Sequence, residues 1–450
     1  MTGEIETFYK ELHVFLQRNQ ERIKDDIQQY KLDAARNHLK YAGMSLAIAF
    51  YPFLLSEAQS TYISDVVEAM IRLMEKITRL FLQEPEIRKV FGFEPEQIEL
   101  VEVDPGYERA IPCARLDSFF DGHTLRFSEV NTDGTAGMDG AEKVAKLFLA
   151  APTMRDFFST RPVRVFDISR CILRTLLDCY EQFVGGESAE VPRIAIVDWK
   201  EARTCEEFVA FEEFCRGEGY EAVVADPREL DYDGHVLSHR GLKIDIIYRR
   251  VVSSEYIERL DEVRAMTRAF VDHNVCVVGS FRSDVAFNKK AFAVLHDRRF
   301  AHLLTEQERT LVAGHVPWTR AFEHDECEYR GQRLSIPELA RSTKDALVLK
   351  PANLYEGRGV KVGSYAEQAE WEQHIEHALE NDYVIQELIP IPSMPLGVWD
   401  DGLEMESRLI HLGEYVFGGK FCGFYCRASD MPIIDRVSKE LLVPCLVLGE

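Results

Sequence analysis

The chain has 450 residues, a length that favours about three domains and excludes a single small module. Hydrophobic residues make up 46% of the sequence and charged residues 29%, the balance of a folded globular protein rather than a disordered one. Lys and Arg number 53 against 76 Asp and Glu, which gives a net charge of −23. That charge repels phosphate backbones and anionic lipid surfaces, so neither nucleic acid nor a membrane is the expected partner.

The expected compartment follows from the N-terminus and the cysteines. The first residues are acidic and lack the basic region and apolar core of a secretory signal. The longest nearly apolar stretch, 42–55, is shorter than the ~20 residues of a membrane-spanning helix, so we expect it to be buried core. The ten cysteines include no Cys-x-x-Cys motif, which argues against a zinc ribbon. We therefore expect a cytoplasmic protein with reduced thiols.

The first part of the chain is predicted to be helical, in a segment covering 1–95. Apolar residues from Ile63 to Phe81 recur at spacings of three and four, the period of one helical face, and Pro85 ends the run. Strands are then predicted at 98–103, 111–116 and 124–130, with an Asp121-Gly122 turn before the last. Helix is predicted to return at about 139–184, which completes a second unit, 96–185.

The second half alternates strands and helices. Strands predicted at 194–198, 222–224, 244–248 and 275–278 indicate a small parallel sheet with helices on its faces, in a unit covering 186–285. The last unit, 286–450, begins with helix. It continues with a predicted strand at 346–350, a glycine-containing loop, a helix at about 366–380 and a strand at 383–387.

Two polar pairs flank the Asp121-Gly122 turn. Residues two apart on a strand face the same side, so an antiparallel hairpin can bring Arg115 and Asp117 together with Glu129 and Asn131. Carboxylate and amide oxygens suit Mg²⁺, which commonly binds through one or two carboxylates and substrate phosphates. The alternative is a solvated hairpin face on which charges pair across the strands.

The segment Thr132-Asp133-Gly134-Thr135-Ala136-Gly137 follows the hairpin and precedes a predicted helix. Small residues let backbone amides approach an anion, and a helix N-terminus attracts negative charge. These features favour a ligand-facing loop over a plain connection.

A second group of residues surrounds Lys350. A lysine at the end of an apolar strand is costly to desolvate without a counter-charge, which a triphosphate would supply. Gly357 and Gly359 would let the following loop fold over phosphates while Arg358 adds a cation. The spacing matches neither the Walker loop nor the dinucleotide motif, and an ordinary hairpin is the alternative.

The predicted strand 383–387 ends in polar residues, and Pro390 stops further pairing. The backbone at Glu387 and Leu388 is then free to bond an adenine edge. The alternative is a simple edge strand.

Together these strings resemble the circularly permuted ATP-grasp family, the group that includes the ligase part of glutathionylspermidine synthase. The resemblance rests on Arg115-Leu116-Asp117 with Glu129-Val130-Asn131, on Val348-Leu349-Lys350-Pro351 with the following glycine loop, and on Val384-Ile385-Gln386-Glu387. In ordinary family members the metal ligands come last, whereas here they precede the lysines by more than 150 residues. The resemblance implies an α/β (α+β) fold: a permuted ATP-grasp domain, an N-terminal helical segment and a small parallel-sheet domain.

The resemblance also implies site residues by position. The implied nucleotide-binding residues are Lys290, Lys350, Glu356, Gly357, Arg358, Gly359, Gln386, Glu387 and Leu388. Asp117, Glu129 and Asn131 would bind one or two Mg²⁺. Arg115 would face the transferred phosphoryl group, and Arg427 matches the family's late arginine. For Lys290 and Arg427 the alternative is a surface cation.

The implied activity is that of an ATP- and Mg²⁺-dependent carboxylate–amine ligase that forms an amide through an acyl phosphate and releases ADP. Two other hypotheses stay open: an ATP-grasp phosphotransferase, and a non-catalytic ATP-binding scaffold. The pair Arg249-Arg250 is a candidate for binding an anionic substrate, with a salt bridge between domains as the alternative. The sequence identifies neither substrate, which would be a small molecule or peptide, nor the oligomeric state.

Overall fold

The fold is mixed α/β, and a computed structural model describes residues 3–37, 39–187, 190–399, 403–433 and 440–449. Helix dominates the N-terminal segment, as predicted. Its helices are α1 (Gly3–Arg18), α2 (Gln20–Arg36), α3 (Glu57–Gln83), α4 (Pro85–Phe91) and α5 (Pro95–Glu102). Its short strands are β1 (Lys40–Tyr41), β2 (Met44–Ser45) and β3 (Phe53–Ser56).

Two predictions for this segment need correction. The strand predicted at 98–103 is wrong, because the segment belongs to α5. Its buried residues Gln97, Leu100 and Val101 follow the helical i, i+3, i+4 spacing, and Pro95 stands at the helix start. The stretch 42–55 is only partly buried core, since β1 and β2 form a hairpin whose Met44 is 68% exposed.

The next segment contains a hairpin and three helices. Its elements are β4 (Cys113–Phe120), β5 (Leu125–Asn131), α6 (Met138–Ala150), α7 (Pro152–Phe158), β6 (Val163–Arg164) and α8 (Ile168–Val184). The hairpin is confirmed, although β4 lies later than predicted. The continuous helical region expected at 139–184 is interrupted, because Pro152 starts a new helix and β6 pairs with the C-terminal strand.

A small parallel sheet with helices beside it follows. The elements are β7 (Ile194–Val197), α9 (Cys205–Gly217), β8 (Ala222–Ala225), β9 (Leu230–Tyr232), β10 (Leu237–His239), β11 (Leu242–Lys243), β12 (Ile246–Arg249), α10 (Ser253–Glu258), α11 (Arg264–Val271) and β13 (Cys276–Val278). These four strands are parallel, as the alternating pattern predicted, and the structure gives their order as β13-β12-β7-β8.

The last segment supplies a four-stranded sheet and long antiparallel strands. Its helices are α12 (Asp284–Phe287), α13 (Lys290–His296), α14 (Glu306–His315), α15 (Ile336–Ser342) and α16 (Gln368–Leu379). Its strands are β14 (Thr319–Ala321), β15 (Glu326–Tyr329), β16 (Gln332–Ser335), β17 (Leu347–Pro351), β18 (Lys361–Val362), β19 (Tyr383–Glu387), β20 (Ser393–Trp399), β21 (Leu403–Phe417), β22 (Lys420–Ser429), β23 (Leu441–Val443) and β24 (Cys445–Leu448).

Two sheets from distant parts of the chain position the candidate site. One sheet has the order β14-β19-β17-β18, and the other has the order β23-β22-β21-β4-β5, with β20 paired to β21. The largest hydrophobic core joins the N-terminal helices to the second sheet, and a smaller core around Trp371 lies under the first. Among the described residues, no helix is both long enough and apolar enough to span a bilayer.

Candidate functional site

The β4–β5 hairpin brings the four predicted polar residues onto one face. Its antiparallel register sets Arg115 opposite Asn131 and Asp117 opposite Glu129. Residues directly opposite in such a ladder have their Cβ atoms about 4.5–5.5 Å apart. A bulge follows at Asp117 and Ser118, where the register shifts by one residue.

Two arginines hold the carboxylate of Asp117. Arg115 donates from Nε to one carboxylate oxygen over 2.6 Å, and Arg427 donates to the other over 3.1 Å. Burial by itself would raise the pKa of Asp117, but the two guanidinium groups hold it below its usual value. Both guanidinium groups also lie over the ring of Tyr425, at 5.3 and 5.0 Å from its centroid. Arg427 is therefore part of the site and not a surface cation.

Lys350 reaches the hairpin from the other sheet. Its Nζ donates to the carbonyl oxygen of Ser128, next to Glu129, over 3.0 Å. Lys350 lines the cleft together with Val348, two residues earlier on β17, while Leu347 and Leu349 belong to the buried core. Burial lowers the pKa of Lys350 to about 8, although the nearby charge of Glu129 opposes the shift.

The two consecutive lysines at the start of α13 have different partners. Lys290, implied by the resemblance, pairs with Asp382 over 2.5 Å and donates to the carbonyl of Phe91. It is not among the residues that line the cleft. Lys289 instead lies 3.4 Å from Glu129 and donates to the carbonyl of Leu354 over 2.7 Å. Of these two lysines, Lys289 is thus the one that contacts the hairpin, and it too is absent from the residues that line the cleft.

Most of the implied site residues line one cleft, which has a volume of about 640 Å³. The implied site residues that line it are Arg115, Asp117, Glu129, Asn131, Lys350, Glu356, Gly357, Arg358, Gln386, Glu387, Leu388 and Arg427. Gly359 is not among the lining residues, and a Cβ there would lie 2.7 Å from the ring of Pro351. Its positive φ of 71° also favours glycine at that place.

The glycine loop is tied across the cleft to other segments. Glu356 adopts a positive φ of 61° and accepts a hydrogen bond from the hydroxyl of Tyr41 over 2.8 Å. Tyr355 donates to Glu255 over 2.5 Å. Non-glycine residues in this backbone region are uncommon and concentrate at functional sites. The loop therefore lines the cleft and is held by the β1–β2 hairpin and by α10.

The strand β19 forms where it was predicted, but the strands beside it are not those expected. It matches 383–387 in extent, but it lies between β14 and β17 and is not an edge strand. The N–H of Glu387 donates to the carbonyl of Trp318, and the N–H of Leu388 donates to that of Ala346. The expectation that this backbone is free is therefore wrong for both N–H groups. The cause is the additional pairing supplied by β14 and by the segment before β17.

The loop 132–137 is already occupied by protein groups. The N–H of Gly137, at the start of α6, donates to Glu207 over 2.6 Å, so a carboxylate of the protein takes the position expected for an anion. Asp133 forms an ion pair with Arg249 over 2.6 Å, and both side chains are almost fully buried. Arg249 thus fits the salt-bridge alternative, because it ties this loop to the parallel sheet.

The donor set on the hairpin suits a hard cation by type. Asp117 and Glu129 offer carboxylate oxygens, and the amide of buried Asn131 has an Nδ2 with no hydrogen-bond partner among the described residues. A hydrogen-bond acceptor on a ligand would satisfy this nitrogen, whereas rotation of the amide would place its oxygen at the same position. Among the described residues, no three His, Cys, Asp or Glu side chains are arranged to hold a metal ion. The fit to Mg²⁺ therefore depends on Asn131 and on oxygen ligands from a substrate.

Most of the chain resembles a solved structure in its fold. It aligns with a glutathione synthetase-like effector from Globodera pallida in its apo form, over 94% of this chain and 96% of that one, with a TM-score of 0.59 and 13% identity. The likeness is one of fold. A provisionally named γ-glutamylcysteine synthetase from Methylobacillus flagellatus aligns over 83% of this chain and 85% of that one, at 12% identity and a TM-score of 0.41.

Sequence comparison gives a weaker likeness. No family model matches the chain. A provisionally named glutamate–cysteine ligase 2-2 from Frankia casuarinae is 24% identical over 222 residues, which are 47% of this chain. The match spans only 24% of that relative's length.

Sequence reasoning missed three groups in the cleft. Tyr41 belongs to a two-residue strand that no pattern signalled. Asp198 and Glu255 also line the cleft. Asp198 follows directly after β7, and a polar residue at the carboxyl end of a parallel strand is a recognisable signal. Glu255 lies on a helix of six residues, too short to show a period.

Proposed function

We propose that the chain is an ATP- and Mg²⁺-dependent carboxylate–amine ligase that releases ADP. The observation that carries the proposal is the contact of Lys350 with the carbonyl of Ser128, at the edge of the Asp117–Glu129 face. That contact joins the residues implied to bind phosphate to the residues implied to bind the metal. Both sets line one cleft, together with the glycine loop. The proposal includes the permuted order, in which the metal ligands come first.

The charge around the hairpin suits a triphosphate. Arg115, Arg427, Lys289 and Lys350 surround the carboxylates of Asp117 and Glu129, and the carboxylate of Glu440 lies 3.8 Å from Arg427. Buried charges need partners, and an excess of cations over carboxylates calls for an anionic ligand. Phosphate oxygens meet that requirement, because guanidinium and ammonium groups donate strong charge-assisted hydrogen bonds to them.

In the proposed reaction a substrate carboxylate attacks the γ-phosphorus of ATP, ADP leaves, and an amine then displaces phosphate from the acyl phosphate. Lys350 would hold phosphate oxygens, Lys289 would hold Glu129 and the loop at Leu354 in place, and Arg115 and Arg427 would stabilise negative charge that develops on the transferred group. Asp117, Glu129 and Asn131 would hold Mg²⁺, which neutralises phosphate charge when bound. The loop at Glu356 would exclude water from the acyl phosphate.

The comparisons support a ligase without identifying its substrates. The alignment with the glutathione synthetase-like effector concerns the fold, and the glutamate–cysteine ligase match covers part of each chain. A specific relation to glutathionylspermidine synthase stays a hypothesis. A phosphotransferase would need no amine, and a scaffold would show no turnover.

The test is a screen of carboxylate and amine pairs for ADP formation, with Glu129→Gln as the matched variant. A ligase releases ADP only when both substrates are present, and the variant should lose that activity. ADP release with an alcohol acceptor alone would favour the phosphotransferase. Stabilisation by ATP and Mg²⁺ without any turnover across the screen would favour the scaffold.

A further inference from the structure

A further hydrophobic core, which packs α8 between the small parallel sheet and the β21–β22 hairpin, is rich in cysteine. Its buried cysteines are Cys113, Cys179, Cys215, Cys276 and Cys422. Cys171 of α8 packs against the same core and is partly exposed. All six thiols are free, and the proposed ligase reaction uses none of them. The core therefore holds nucleophilic groups to which no role has been assigned.

Two of these cysteines, Cys171 and Cys422, are in direct contact. Their thiols form a hydrogen bond that joins α8 to β22. The Cys422 thiol also donates to the carbonyl oxygen of Lys420 over 3.3 Å. A disulfide requires two sulfur atoms that can approach each other without a large movement of the backbone. The thiol–thiol contact meets this requirement, although the two residues lie in distant parts of the sequence.

A β-bulge places Cys422 against α8. The register between β21 and β22 shifts between Tyr415 and Val416, and Cys422 is the residue that the register skips. The next residue, Gly423, has a positive φ of 142°, which a residue with a side chain rarely adopts. Bulges of this kind turn a side chain away from the regular ladder, and they are common next to functional sites. The backbone of β22 is therefore shaped so that the thiol of Cys422 meets that of Cys171.

The two thiols differ in acidity. Cys171 is the fourth residue of α8, and a helix N-terminus favours a thiolate. Its hydrogen bond with Cys422 lowers the pKa of Cys171, and the charge of Arg174 acts in the same direction. Burial and the charges of Asp167 and Glu142 oppose this shift. The same hydrogen bond, together with burial, raises the pKa of Cys422, which is 7% exposed.

We propose that Cys171 and Cys422 are an oxidation-sensitive pair, which forms a reversible disulfide by exchange with small disulfides. The Cys171 thiolate attacks one sulfur of the small disulfide, whose S–S bond breaks. One small thiolate leaves and takes up the proton that Cys171 lost. The sulfur of Cys422 then attacks the sulfur of Cys171, and the proton of Cys422 goes to the second small thiolate as it leaves. Two protein thiols and one small disulfide thus become one protein disulfide and two small thiols.

Exposure and contact together select this pair. Redox-sensitive cysteines are accessible, have a lowered pKa and lie next to a second cysteine that completes the disulfide. Cys426 and Cys445 also lie near each other, but they are only 1% and 6% exposed, and neither offers a reagent an accessible partner. The proposed bond would fasten α8 to β22, the strand that carries Arg427 at the cleft.

The experiment treats the folded full chain with oxidised glutathione and maps its disulfides by mass spectrometry of non-reduced peptides. We expect a bond between Cys171 and Cys422 that dithiothreitol reverses. Exposed Cys205, whose thiol donates to Glu206, is the control for accessibility and should acquire glutathione without forming a bond within the chain. Cys426 and Cys445 are the control for proximity and should stay reduced.

Two variants separate the roles of the two thiols. Cys422→Ser should accumulate glutathione on Cys171, because no second thiol displaces it. Cys171→Ser should acquire glutathione on Cys422 at least tenfold more slowly. The inference is overturned if the wild type forms no bond between Cys171 and Cys422, if that bond forms only in denaturant, or if the two variants react equally fast. The wild-type map decides the question even if a variant fails to fold, and no outcome depends on ATP or on the proposed ligase function.

Discussion

Lys350 donates from its Nζ to the carbonyl oxygen of Ser128 over 3.0 Å, although the two residues are 222 positions apart in the chain. The contact joins the end of an apolar strand to the hairpin that carries Asp117 and Glu129. A lysine buried at this depth loses much of its hydration, and one carbonyl together with the nearby charges of Glu129 and Asp117 compensates for only part of that loss. The arrangement is therefore ready for an anionic ligand, and its parts can be tested separately.

Glu129→Ala should abolish ATP turnover and leave the fold intact. Glu129 is an implied metal ligand, and loss of the stabilisation that a metal provides costs several kcal/mol of transition-state energy, a fall of at least ~100-fold in rate. Its side chain is 23% exposed with one ion pair, to Lys289, so the free energy of unfolding should change by only ~1 kcal/mol. ADP release and thermal unfolding measure the two effects. His123→Ala, at the exposed turn of the same hairpin, is the control. Normal turnover in Glu129→Ala would remove the metal assignment.

Lys350→Met should weaken the binding of a non-hydrolysable ATP analogue. The substitution keeps a similar apolar stem but removes the charge, and a charged hydrogen bond contributes about 1.5–3 kcal/mol. The dissociation constant should rise by ~10- to 150-fold in isothermal titration calorimetry. An unchanged dissociation constant would show that Lys350 does not contact phosphate.

Substitutions of Lys289 and Lys290 should have different effects on nucleotide binding and on stability. Lys289→Met should weaken binding of the same analogue, because Lys289 contacts Glu129 and the loop at Leu354. Lys290→Met should lower the free energy of unfolding, because it leaves the carbonyl of Phe91 without its donor, while affinity stays near the wild-type value. Calorimetry and chemical denaturation of both variants separate these roles. The reverse pattern would restore Lys290 as the nucleotide lysine.

Nucleotide affinity should fall as pH rises through about 8. Burial lowers the pKa of Lys350 to about 8 in the ligand-free protein, so the charged form that binds phosphate is complete below this pH and is lost above it. The dissociation constant of the ATP analogue should then rise by up to ~10-fold per pH unit above about 8. The phosphates themselves are fully ionised in this range. Lys350→Met should show no such rise, and an equal slope in that variant would assign the effect to another group.

Much of the site could be predicted because its residues lie on regular strands. Alternation places Arg115 and Asp117 on one face, and the Asp121-Gly122 turn fixes their pairing with Glu129 and Asn131. The extents of β17 and β19 also agree closely with the sequence pattern. Local periodicity and turn-forming residues are enough to predict such elements.

The sequence is least informative where tertiary contacts decide. Lys289 and Lys290 stand at the start of a short helix, where consecutive side chains point ~100° apart, and the sequence does not reveal which one contacts Glu129 of the hairpin. The N–H groups of Glu387 and Leu388 are occupied by segments distant in sequence. Tyr41 reaches Glu356 across 315 residues, a contact that no local pattern contains.

The most direct measurement is a crystal structure of the chain with a non-hydrolysable ATP analogue and Mn²⁺, which replaces Mg²⁺ and scatters anomalously. We expect the triphosphate to lie between Lys350 and the β4–β5 hairpin, with an anomalous peak within ~2.5 Å of oxygen atoms of Glu129 and Asn131. A nucleotide bound outside this cleft, or a metal peak away from the hairpin, would show that the proposed site is wrong.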